Sequence, residues 1–168
     1  MATTHDRLAA AVGDAGSAYH RLVLLVGPAR SGKTEALRRL GGDRGWPRVN
    51  LNRELSALLI DYPKRQRALK LPDLASQMAA AQSGDVILID NIELLFAPEL
   101  AVDPLRLLQG LSRNRIVIAS WRGAYDGEQL TYAEPGHPEW RRYTHPEAAV
   151  VSATQPATNQ TDNRQDPR

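Results

Sequence analysis

LVLLVGPARSGKTEALRRL, residues 22–40, decides how the rest of the chain is read. LVLLV (22–26) is a continuous apolar run, the mark of a strand buried on both faces of a parallel sheet. TEALRRL (34–40) is made of good helix formers with leucines at 37 and 40. Between them GPARSGKT (27–34) places Gly27 and Gly32 ahead of a lysine and a threonine. A strand, a glycine loop and a helix in that order predict a turn that cradles phosphate.

The residue types explain themselves on that reading. Gly27 and Gly32 let the backbone turn tightly, so that N–H groups come close to phosphate oxygens. The body of the loop, Pro28, Ala29, Arg30 and Ser31, then surrounds the anion. The helix that starts near Lys33 points its unpaired N–H groups and positive dipole end at the same place, with Glu35 beside it. Lys33 is suited to reach the β- and γ-phosphates of ATP, and the Thr34 hydroxyl to ligate Mg²⁺.

A chain of 168 residues, 42% hydrophobic and 24% charged, is of ordinary globular composition and long enough for one domain with a core. The net charge of +2 does not mark a strongly basic nucleic-acid binder, although a local patch is compatible with it. With no cysteine, the sequence excludes disulfides and thiolate metal or redox sites. No apolar run has the length of a membrane span, and the first twenty residues do not resemble a signal peptide. The expected location is the cytoplasm.

Along the chain, 6–19 reads as an alanine-rich helix, 48–52 as a short strand, and 53–61 and 64–82 as helices. VILID (86–90) is an apolar strand that delivers Asp90 to a Mg²⁺ site, the second half of a P-loop NTPase. A further helix follows Pro104, RIVIASW (115–121) is another buried strand, 122–129 a glycine-rich connection and 130–135 a last strand. This order predicts one α/β three-layer P-loop NTPase domain over 1–146, with a mainly parallel sheet and no helical lid domain. A strand between the Walker A and Walker B strands marks the RecA/AAA-like branch. From Glu147 the composition turns to Thr, Gln, Asn, Pro and Ala, which predicts a disordered tail over 147–168.

ATP hydrolysis needs a group that orients water, commonly a glutamate directly after the Walker B aspartate. Here that position is Asn91, with Glu93 two residues further on. Asn91, Glu93 and Glu35 are all open as candidates, and so is a site that binds nucleotide and hydrolyses little. Ser120, at the end of its strand, is placed for the γ-phosphate or the water. Arg113 and Arg115, and less directly Arg122, Arg141 and Arg142, are candidates to complete a neighbour's site in a ring or filament. Lys64, Arg65, Arg67 and Lys70 in KRQRALK are suited either to contact DNA phosphates or to form the polar face of a helix. A small-molecule kinase is a third reading, for which no lid is visible.

DNIELLF (90–96), DPLRLLQGLSRNR (103–115) and LTYAEPGHPEWRRY (130–143), together with GPARSGKT, resemble the BrxF family of type 3 BREX (bacteriophage exclusion) systems. The resemblance runs from about Arg21 to Tyr143. It implies ATP binding, a role in bacterial phage defence, and work beside the other proteins of such a system.

Overall fold

The computed structural model describes residues 2–153. Helix α1 (Thr4–Ala15) opens with a capping box, in which Thr3 and Asp6 satisfy each other's backbone donors. Strand β1 (Leu22–Gly27) is buried along its whole length. The loop after it leads into α2 (Lys33–Arg44), which ends at Gly45 in the left-handed region. Next come β2 (Arg48–Asn50), α3 (Leu51–Leu59), α4 (Lys64–Ala80) and β3 (Val86–Asp90). Two 3-10 turns (Glu93–Phe96 and Pro98–Leu100) precede α5 (Pro104–Leu111). Strands β4 (Ile116–Tyr125), β5 (Gln129–Tyr132), β6 (Arg141–Thr144) and β7 (Ala149–Ser152) complete the described chain.

The central sheet has the order β2-β3-β4-β1-β7, all parallel. Strand β4 therefore lies between β1 and β3, as expected of the RecA/AAA-like branch. Alternate residues of β1 serve two cores, as a period of two requires. Leu22, Leu24 and Val26 pack with α3, α4 and α5, while Val23 and Leu25 pack with α1 and α2. The result is a three-layer α/β domain of the P-loop type. Among the described residues no helix follows β4, so no helical lid is present there. None of their helices is long and apolar enough to cross a membrane.

Two expectations need correction. The expected tail begins inside the domain: β7 pairs in parallel with β1 from Val23↔Ala149 to Val26↔Ser152, and Val151 is buried. Four residues in a polar context look like tail, but β1 supplies an open edge for them. The remainder of that expected tail, 154–168, lies outside the described residues. The segment 122–129 is also not a simple connection. Strand β4 continues past the sheet to Tyr125 and turns antiparallel into β5, which pairs with β6. Smaller differences follow from caps. Asn50 accepts from the Arg53 N–H, so α3 starts at Leu51 rather than at 53.

Gly123 makes the β4–β5 turn-over possible, because a Cβ there would run into the backbone carbonyl of Thr131. Gly123→Ala is expected to cost about 1–3 kcal/mol through this collision. It should lower the thermal midpoint and change the near-UV signal of Trp121, whose indole N–H donates to the Thr131 carbonyl at 3.0 Å.

Candidate functional site

All parallel strands end on one edge of the sheet, and the site is built there. The loop after β1 alternates hand: Arg30 (φ 61°) and Gly32 (φ 88°) are left-handed. Alternation of this kind turns successive N–H groups into one concavity. Gly32 caps α2 without any side-chain bond, so the first N–H groups of the helix face the same concavity. A Cβ on Gly27 would collide with the Ser31 side chain and lie 3.1 Å from the Ala153 methyl, so the loop closes tightly on its own start.

The Lys33 ammonium lies across the loop. It donates to the carbonyls of Gly27 (2.9 Å) and Pro28 (2.6 Å) and to the Ser31 hydroxyl (3.2 Å). Burial pulls its pKa below the usual lysine range; Glu93 and Asp90 oppose that shift, and Arg122 adds to it.

A cleft of about 650 Å³ opens over this loop. It is lined by residues 29–35 together with Asp90, Asn91, Glu93, Ser120 and Arg122. The structure thus brings together Ala29, Arg30, Ser31, Gly32, Lys33, Thr34 and Glu35 of the loop and helix start with Asp90 at the end of β3, Glu93 in the turn after it and Ser120 on β4. Pro28 stands outside this lining and accepts from Lys33 through its carbonyl. Asp90 is 2% exposed. Its Oδ1 accepts from the Ser120 hydroxyl (2.6 Å) and from the Asn91 N–H (3.0 Å). Its Oδ2 is buried with no hydrogen-bond donor, and the Arg48 guanidinium comes only to 3.9 Å. A buried carboxylate oxygen without a donor, on a residue that lines the same cleft as Thr34, suits a hard divalent cation such as Mg²⁺.

After Asp90 the chain bends sharply. Asn91 takes a left-handed conformation (φ 53°), which asparagine tolerates better than most residues. The following turn swings Glu93 to the cleft. Glu93 is not free there: the Asn52 amide donates to its Oε2 at 3.2 Å, while Asn52 Oδ1 accepts the Leu94 N–H at 2.8 Å. The Asn52 N–H in turn donates to the Asn91 carbonyl at 2.9 Å. Asn52 is a site residue that spacing alone did not reveal. Glu35 lines the cleft, but its carboxylate accepts two hydrogen bonds from Arg38, at 2.8 and 2.7 Å. Those bonds hold its pKa below the usual carboxylate range and turn it toward its own helix.

An aromatic group buttresses the cleft from the α3–α5 side. Phe96 and Tyr132 stack at 3.3 Å between centroids, and Trp121 meets both edge-on. Burial, then the charge of Glu93, pushes the Tyr132 phenol above its usual range. This cluster ties the turn carrying Glu93 to the β4–β5 extension.

The other arginines lie elsewhere. Arg113 and Arg115 precede β4, at the opposite end of its strands, with Arg115 roughly 16 Å from Ser120 by strand rise. Neither belongs to the cleft of its own chain. Arg115 is engaged, donating to the carbonyls of Ala79 (2.7 Å) and Gln82 (3.1 Å) at the end of α4. For Arg113 to complete a site, a neighbour would have to stack head to tail. Arg141 and Arg142 sit on β6, with Arg142 over the Trp140 ring. Of the basic run on α4, Arg67 donates to the Tyr62 carbonyl (3.0 Å) and Lys70 lies 5.6 Å from the Tyr62 ring centre. These two fasten the α3–α4 turn, which leaves Lys64 and Arg65 as the exposed cations of the run.

No family model matches the sequence, and no curated protein matches it. Among solved structures, that of C. elegans PCH-2 aligns over 91% of this chain at 17% identity with a TM-score of 0.47. The chain spans 42% of the length of that protein.

Proposed function

We propose that the chain binds ATP with Mg²⁺ in the cleft over residues 27–34 and hydrolyses it slowly. The observation that supports this most directly is that Lys33, Ser120 and Asp90, whose buried Oδ2 has no hydrogen-bond donor, line one cleft over a glycine loop with left-handed residues. The loop and helix N–H groups and Lys33 would hold the phosphates. Thr34 and Asp90 would hold the metal, which supplies charge neutralisation on the phosphate oxygens. Ser120 orients the Asp90 carboxylate through its 2.6 Å bond. Glu93, which lines the cleft, would orient the attacking water. The resemblance to BrxF supports a cytoplasmic role in bacterial phage exclusion, alongside partner proteins. Phosphate release from Mg·ATP, measured with and without DNA, tests the activity; no release under any condition removes the hydrolytic part.

A second reading, a nucleotide-dependent switch with little turnover, is favoured by the Asn52–Glu93 bond. A carboxylate held by an amide is less available to orient water. Asn52→Ala is then expected to raise turnover about fivefold, the equivalent of releasing one hydrogen bond of about 1 kcal/mol. A fall instead would show that Asn52 positions Glu93 productively.

A further inference from the structure

We propose that Arg122 reads the γ-phosphate from within the same chain, so that the cleft is complete without an arginine from a neighbour. The inference rests on the nucleotide reading above.

Backbone register carries it. In the β1–β4 ladder Arg122 stands opposite Gly27, the first residue of the phosphate loop. Residues two apart on a strand share a face, so Arg122 projects on the side of Ser120, whose hydroxyl binds Asp90. Arg122 therefore lies on the wall of the cleft that Lys33, Asp90 and Glu93 also line. The last phosphate of a triphosphate comes within that cleft when Lys33 holds the β- and γ-groups.

The backbone that bears Arg122 is fixed on both sides. On one side is β1; on the other, the Ala133 N–H donates to the Arg122 carbonyl at 3.1 Å. Gly123, which follows, admits no side chain because the Thr131 carbonyl of β5 passes directly against it. An arginine on so rigid a segment is pre-positioned rather than swept in by a moving loop.

Charge gives the second argument. Arg122 makes no ion pair among the described residues, yet it shares the cleft with Lys33 closely enough to repel its proton. Asp90 is bonded at Oδ1 by Ser120 and Asn91, and Glu93 by Asn52; both acids act on Lys33 at longer range, without a salt bridge to it or to Arg122 among the described residues. Lys33 and Arg122, lining one cleft without direct carboxylate contact, suit an anion that spans both. A planar guanidinium can take two oxygens of a terminal phosphate at once, which an ammonium cannot. The other candidates fit less well: Arg115 is held at the end of α4, Arg113 precedes β4 at its far end, and Arg141 and Arg142 lie on β6 outside the cleft lining.

The test compares the affinities of the full chain for Mg·ADP and for a non-hydrolysable Mg·ATP analogue. The variants are Arg122→Ala, Arg122→Lys and Lys33→Ala, with thermal melts as the folding control. Arg122→Ala should weaken the analogue about tenfold, the loss of one charge-assisted contact, and change ADP less than about twofold. Arg122→Lys should recover part of the loss. Arg122→Ala is then titrated in the presence of excess Lys33→Ala, where only the former carries a loop able to bind. Restored analogue affinity in that mixture would show that the arginine acts between chains and overturn the proposal. Equal effects on ADP and analogue, or no effect on either, would overturn it too. If the unaltered chain binds neither nucleotide, the nucleotide reading falls first and this inference with it.

Discussion

Lys33→Ala is expected to lower the affinity for Mg·ATP at least about a hundredfold while leaving the domain folded. The ammonium is set inside the loop, within 3.2 Å of three loop oxygens. Two charge-assisted bonds to phosphate are worth about 1.5–3 kcal/mol each, and about 1.4 kcal/mol is tenfold in affinity. On stability the change cuts both ways. It removes contacts to the Gly27 and Pro28 carbonyls, and it also relieves the repulsion from Arg122. Lys33 belongs to neither apolar core. The thermal midpoint should therefore move by no more than about 2–4 °C, the shift expected from about 1 kcal/mol in a domain of this size. Calorimetric titration and a thermal melt of the same sample check both halves. Unchanged affinity in a folded variant would remove the loop from nucleotide binding altogether.

The part of the site that rests on this lysine is also the part the sequence displays most openly. Strand β1, the loop and α2 are contiguous, so a local apolar run, two glycines and a helix start suffice to place them. Asp90 is legible for a similar reason, at the end of an unbroken run of branched residues. What escapes a linear reading is set by pairing between distant segments. Nothing near Asn52 signals that its amide will meet Glu93, because the bend at Asn91 brings them together. Arg122 looks like one of several arginines until the register sets it opposite Gly27. Gly123 and Gly127 read as part of a glycine-rich connection, whereas Gly123 is present because β5 passes too close for a side chain. Arg113 and Arg115 stood near Ser120 in sequence, but a parallel strand carries its two ends to opposite edges of the sheet.

Strand β7 is the sharpest instance, and it leads to the second large effect. Ending the chain after Ala148 should destabilise the whole domain, whereas a chain ending at Ala153 keeps the β1–β7 ladder and serves as the reference. Removal of β7 exposes the edge of β1, the strand that carries the phosphate loop. It also uncovers the side of the smaller core where Val151 packs with Leu8, Val23 and Leu25. Loss of a buried valine costs about 1.5–3 kcal/mol. Lost ladder bonds and the loosened packing of α1 bring the total to about 3–5 kcal/mol. Against a total stability of roughly 5–15 kcal/mol this is a large share, and the midpoint should fall by on the order of 10 °C. The site should feel it as well. The Ala153 N–H donates to the Val26 carbonyl at 2.8 Å, and its methyl packs against Gly27, where the loop begins. Nucleotide affinity measured well below the new midpoint should therefore drop along with stability. A truncated chain that melts and binds like the reference would mean that β1 needs no partner on that edge, and that the loop is held by β4 and α2 alone.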